Sequence, residues 1–150
     1  MYKHILISTD GSELAQKGVD HGLSLAKSLG AKVTIVTVTE PFPFSATAAG
    51  AGWVPGPDDI ASYQEGQKEF ADRTLAKVKE AAQVLGVEAA TVHVADARPA
   101  EAILDVAKTE ACSLIVMASH GRRGLGRLLL GSQTSEVLAH SSVPVLVVRA

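Results

Sequence analysis

The sequence predicts an α/β fold: one doubly wound domain on a five-stranded parallel sheet with helices on both faces. Three observations carry this. Five short runs rich in Val and Ile alternate with longer segments whose apolar residues fall three or four apart. Runs two, four and five are apolar at nearly every position, which is the pattern of strands covered on both faces. The resulting order, β-α-β-α-β-α-β-α-β, needs a crossover between successive strands, and such crossovers are right-handed.

The strand runs are His4–Ser8, Lys32–Thr39, Glu88–Val94, Ser113–Ala118 and Val143–Arg149. The helical segments are Ser12–Leu29, Asp58–Leu85, Ala100–Lys108 and Ser132–His140. The first repeats Ala15, Val19, Gly22, Leu25, Ala26 and Leu29 at helical spacing, and the second repeats Tyr63, Phe70, Thr74, Val78, Ala81 and Leu85. Each set forms one stripe that faces a core. Ser12 is placed to cap the first helix through its hydroxyl. Gly30 and Gly86 are placed to end helices in the left-handed conformation. Pro99 suits a first helical turn and Pro144 the start of a strand. The irregular stretch Glu40–Pro57, with four prolines, is a surface loop or a lid.

Length and composition set limits. The chain has 150 residues, so one domain over 1–150 is expected, and 47% of them are hydrophobic, enough for one sizeable core. The charged fraction is 20% and the formal net charge −2, which points away from nucleic acid and from a membrane surface. The apolar segment Ile5–Ile7 is too short for the core of a signal peptide, and no run reaches the roughly 20 residues of a membrane span. A cytoplasmic location is therefore expected. The single cysteine, Cys112, excludes an internal disulfide framework and reads as an inert thiol at the entry to strand four.

In open α/β sheets ligands bind beyond the carboxyl ends of the strands, where the strand order reverses. The segments that follow the strands are thus the candidate site. Strand one runs into Thr9-Asp10-Gly11-Ser12 and strand two into Thr39-Glu40. Strand four runs into a glycine-rich segment with Arg122, Arg123 and Arg127, which leads to Gly131-Ser132 and a helix. Such a loop entering a helix N-terminus is an anion site, with the Gln133 and Thr134 amides and the Ser132 hydroxyl as donors. The competing reading is a loop with solvated arginines and an ordinary serine cap. Asp10 suits a ribose, a base or a metal; it also suits a turn with Gly11.

The opening HILISTDGSELA, the segment HGRRGLGRLLLGS and the ending SSVPVLVVR resemble the universal stress protein family over the whole chain. Its nucleotide-binding members share a glycine, two residues, a glycine, nine residues, then glycine with serine or threonine. Gly121, Gly131 and Ser132 fit that spacing, whereas the first glycine position holds Ala118. The resemblance implies strand order 3-2-1-4-5 in an adenine nucleotide alpha hydrolase-like fold. It implies that Thr9 and Asp10 face adenosine, that Val38 and Met117 line the adenine pocket, and that Ala118 and His120 border the ribose. Gly121, Gly131, Ser132, Gln133 and Thr134 would cradle the phosphates of ATP, with Mg²⁺ as the cation. It further implies a homodimer through the last strand, Val143–Arg149, which also closes an apolar sheet edge.

The expected function is thus ATP binding in stress response or signalling, with an unidentified protein partner. The alternative is a dimeric interaction module of the same family that binds no nucleotide, the reading that Ala118 favours. No catalytic residue is assigned; a phosphate cradle without a positioned base supports at most slow ATP hydrolysis. HIGH-type and SGGxDS-type signatures of nucleotidyl transferases and ligases are missing, and Arg149 stands where a phospho-receiver needs lysine. His4, His21, His93 and His140 lack metal-ligand spacing and read as structural or surface residues.

Overall fold

The computed structural model of the chain describes residues 1–44, 52–120 and 129–149. Five strands, β1 (His4–Ser8), β2 (Lys32–Val38), β3 (Ala89–Val94), β4 (Leu114–Ala118) and β5 (Val145–Val148), form one sheet in the order β3-β2-β1-β4-β5. Every pairing is parallel. Four helices accompany them among the described residues: α1 (Glu13–Leu29), α2 (Pro57–Leu85), α3 (Pro99–Thr109) and α4 (Ser132–His140).

The apolar runs cover both faces, as the sequence predicts. In β1, Ile5, Leu6 and Ile7 are all fully buried. Ile5 and Ile7 join Val33, Ile35 and Val116 under α1 and α2, through Val19, Leu23, Leu75 and Val78. Leu6 points the other way and joins Val36, Ile115 and Met117 under α3 and α4, through Ile103 and Val137. The alternation along the strand sends successive side chains to opposite layers. β5 is apolar throughout yet only half-buried, because it is an edge strand with β4 as its one neighbour in the sheet.

Helix ends follow the local sequence. Ser12 caps α1, its hydroxyl accepting the Ala15 N–H at 3.1 Å. Gly30 and Gly86 close α1 and α2 with φ of 64° and 74°. The loop read as ending at Pro57 ends one residue earlier, since Pro57 begins α2 after Gly56. Pro144 lies just ahead of β5, and its carbonyl accepts the Ile115 N–H at 3.0 Å.

Two glycines set how closely α1 lies on the sheet. A Cβ on Gly18 would meet the Ala118 nitrogen at 3.0 Å, and one on Gly22 would meet the Ile7 side chain at 2.7 Å. The helix therefore rests on the β4 backbone itself, directly under the end of that strand.

Candidate functional site

The sheet order reverses between β1 and β4, and a cavity of about 390 Å³ opens above their carboxyl ends. Ten of the sequence-predicted residues line it: Thr9, Asp10, Val38, Met117, Ala118, His120, Gly131, Ser132, Gln133 and Thr134. Gly121 lies outside the described residues, as do Arg122, Arg123 and Arg127.

The β1 edge is a tight turn. Thr9 is buried, and its hydroxyl oxygen accepts the Gly11 N–H at 3.1 Å. An Asp10 carboxylate oxygen accepts the Ser12 N–H at 2.9 Å. Asp10 thus has the turn role and faces the cavity as well. Gly11 has φ of 79°, and a Cβ there would meet the Phe70 ring at 2.8 Å, so only glycine suits the position.

The β4 edge is tied to α4. The Thr134 hydroxyl donates to the Ala118 carbonyl at 3.0 Å, and the Gly131 N–H donates to the Ser119 carbonyl at 2.8 Å. Gly131, not Ser132, is the N-cap of α4, and no side chain caps the helix. The ordinary serine cap is therefore not realised. First-turn N–H groups have no intrahelical partner, and the positive end of the helix dipole lies with them. Gln133 adds a link that the sequence does not reveal: its side-chain oxygen accepts the Ala100 N–H at 3.0 Å and binds the N-termini of α3 and α4 together.

Ala118 occupies extended backbone inside β4, in register with Val148. Its backbone is not in the left-handed region, so alanine carries no conformational penalty there. His120 is the sharper feature. It is 8% exposed, with Nδ1 3.2 Å from the Ser119 hydroxyl. Its Nε2 is the one buried side-chain polar atom without a hydrogen-bond partner among the described residues. Buried polar atoms are almost always paired, so this nitrogen on the cavity wall is an exception.

The remaining wall comes from residues that the sequence reading placed elsewhere or passed over. Tyr63, Gln67 and Phe70 project from α2, and Pro99 and Ile103 belong to α3, while Thr39 and Glu40 line the cavity after β2 as the sequence predicts. The Tyr63 hydroxyl donates to the Glu40 carbonyl at 3.2 Å, and the Gln67 amide donates to the Tyr63 oxygen at 3.0 Å. Phe42 sets its ring edge-on to Tyr63, 5.3 Å between centroids. Helix length was the available signal. At 1.5 Å per residue α2 runs about 43 Å, against about 23 Å for β2, so one end must overhang the sheet. Its buried residues Ala71, Leu75, Val78 and Ala82 are all in the C-terminal half. The N-terminal half overhangs the carboxyl ends of the strands and becomes a wall.

The family model described as the universal stress protein family matches residues 1–149. The chain belongs to the universal stress protein family. A universal stress protein of Methanocaldococcus jannaschii is 35% identical over 149 residues, covering 99% of this chain and 83% of that one. The solved structure of another universal stress protein from that organism aligns with a TM-score of 0.83 at 27% identity, covering 100% of this chain and 97% of that one. Two further solved structures share the fold at a TM-score of 0.68. One is a universal stress protein in complex with cAMP, 23% identical, with coverage of 99% and 97%. The other is a universal stress protein family protein from Arabidopsis thaliana with AMP bound, 14% identical, with coverage of 97% and 90%.

Other expectations resolve simply. Cys112 is buried, and burial pushes its thiol up to about 11, so it stays protonated and inert. Arg98 precedes α3 and forms an exposed ion pair with Glu101 at 3.2 Å. No described helix is long and apolar enough to cross a membrane.

Proposed function

We propose that the cavity binds an adenine nucleotide, and specifically ATP with Mg²⁺. The observation that carries this is the unpartnered His120 Nε2 beside the uncapped N-terminus of α4. Phosphate oxygens would accept from the first-turn N–H groups of α4, and the Ser132 hydroxyl would add a donor. His120 Nε2 would meet the ribose or an adjacent phosphate oxygen. At the opposite end, Val38, Met117 and Ile103 offer apolar surface to a base, with Thr9 and Asp10 beside the sugar. Asp10 and Glu40 keep negative charge at that end, which orients a polyanion toward α4. The fold neighbours that hold cAMP and AMP agree with this chemistry.

The donor set suits a cation that arrives with the phosphates. No group of three or more metal-ligating side chains exists among the described residues. Asp10 and Ser132 are among the oxygen-bearing side chains that line the cavity, and Mg²⁺ would keep most of its remaining positions for phosphate and water. Nucleotide occupancy, rather than turnover, would be the signal passed to a partner in stress response or signalling. The reading extends to a cytoplasmic homodimer in which β5 pairs with β5 of a second copy. β5 ends the sheet and its four residues, Val145–Val148, are half-buried and apolar. Light scattering should give twice the chain mass, and a monomer at high concentration would refute this part.

Isothermal titration with ATP–Mg²⁺ tests the main reading, with Gly131→Val as control. A Cβ on Gly131 meets the Ser119 carbonyl oxygen at 3.3 Å, so valine must displace the ledge that carries His120. Saturable binding by the parent that the variant loses is expected. A folded parent that binds no nucleotide would leave the interaction-module reading in its place.

A further inference from the structure

His93 is half-buried on β3, outside the cavity, and reads from sequence as a structural or surface residue. Its Nε2 lies 2.8 Å from the hydroxyl of Thr39, which is buried and forms part of the cavity wall next to Val38. The Thr39 backbone is fixed on both sides: its N–H donates to the Val94 carbonyl at 2.9 Å, and its carbonyl accepts the Ala97 N–H at 3.3 Å. Only the hydroxyl proton is free to change place. We propose that His93 is a positioning residue that sets, through its protonation state, whether Thr39 offers the ligand a hydrogen-bond acceptor or a donor.

An imidazole and a hydroxyl in contact share one proton across the bond. When His93 is neutral with Nδ1 protonated, Nε2 accepts and the Thr39 hydroxyl donates to it. The lone pairs of Thr39 then face the cavity. When His93 is protonated, Nε2–H donates to the Thr39 oxygen, and the hydroxyl proton turns toward the cavity. One proton taken up at the sheet edge thereby inverts the polarity of a buried group that solvent barely reaches. Histidine is the side chain suited to do this near neutral pH.

The surroundings permit the exchange. β3 is an edge strand, so His93 keeps access to water. From β2 it faces Thr37, its register partner, and Thr39. From α2 the charge that couples to it is Asp72, whose carboxylate is bound by Lys68 at 2.8 Å. Asp72 is held below the usual carboxylate range first by its hydrogen bond to Lys68 and also by His93. It thus stays ionised near neutral pH and does not confuse the switch.

This inference rests on the nucleotide reading above and names the end of the ligand that Thr39 serves. Thr39 lies with Val38 and Met117, at the base end. Adenine offers an amino donor at its six position, whereas hypoxanthine offers a carbonyl acceptor there. A Thr39 acceptor favours ATP, and a Thr39 donor favours ITP. The ratio of the two affinities cancels titration of the shared triphosphate and of groups at the phosphate end, His120 included.

The test measures ATP and ITP affinities by isothermal titration from mildly acid to mildly alkaline pH. The parent is compared with Thr39→Val and His93→Phe. In parallel, ¹⁵N spectra of the histidine rings in nucleotide-free protein report which nitrogen of His93 carries the proton. Neutral His93 protonated at Nδ1, and an ATP-to-ITP ratio that falls at least about threefold on acidification, are expected. Both variants should hold the ratio flat. A parent ratio independent of pH, or Nε2 protonated at alkaline pH, would overturn the inference and leave nucleotide binding intact. Failure of the folded parent to bind either nucleotide would end both readings.

Discussion

His4 and His120 stand at opposite ends of neighbouring central strands and are buried alike, each 8% exposed. His4 opens β1, and its Nε2 lies 2.7 Å from the hydroxyl of Thr34. His120 follows β4, and its Nε2 has no partner. The same side chain at the same depth is completed by the fold at one pole and left incomplete at the other. A protein tolerates an orphaned buried nitrogen when something outside the chain completes it. On the proposed reading, the amino pole serves stability and the carboxyl pole a ligand.

That contrast is broken most directly by removing each ring. His4→Ala leaves a cavity and removes the imidazole partner of the Thr34 hydroxyl, and should lower unfolding stability by about 3 kcal/mol with nucleotide affinity unchanged. Denaturant unfolding beside a binding titration measures both. His120→Ala should do the reverse. It should weaken ATP about tenfold, or about 1.4 kcal/mol, while stability changes less than it does in His4→Ala. Equal stability losses in the two variants would erase the distinction between the poles.

A smaller effect sharpens the same comparison through pH. Burial, with Lys32 nearby, holds His4 below the ordinary 6.5 of histidine. The unfolded chain then binds a proton that the folded chain refuses. The stabilisation is complete above that value and is lost as pH falls below it. The His4→Gln variant should lose stability less steeply than the parent over that window. Identical slopes would show that His4 does not titrate with unfolding.

Much of this was legible in the sequence because it depends on local pattern. Apolar runs of strand length, glycines after helices and Ser12 before α1 each specify an element from a few neighbouring residues. The cavity residues that follow strands were equally legible, since an α/β sheet brings every strand end to one rim. Residues joined across long separations were not. Tyr63 and Phe70 sit in a stripe that reads as core, and only the length of α2 shows that this part overhangs the sheet. Gln133 reads as a phosphate-loop residue, yet its side chain holds the Ala100 amide, 33 positions away. Gly18 gives no turn signal, although its missing Cβ lets α1 touch the β4 backbone. His93 carries no local signal either; its register opposite Thr37 of β2 brings its ring to the Thr39 hydroxyl.

The claim that the two poles differ in kind is tested most directly by titrating ATP–Mg²⁺ into isotope-labelled protein and following backbone amides and histidine ring nitrogens together. The account predicts saturable shifts at Thr9, Asp10, His120 and Gly131 to Thr134, with the His120 Nε2 signal moving and that of His4 still. Shifts confined to the amino pole, or an unmoved His120 ring at saturation, would contradict it.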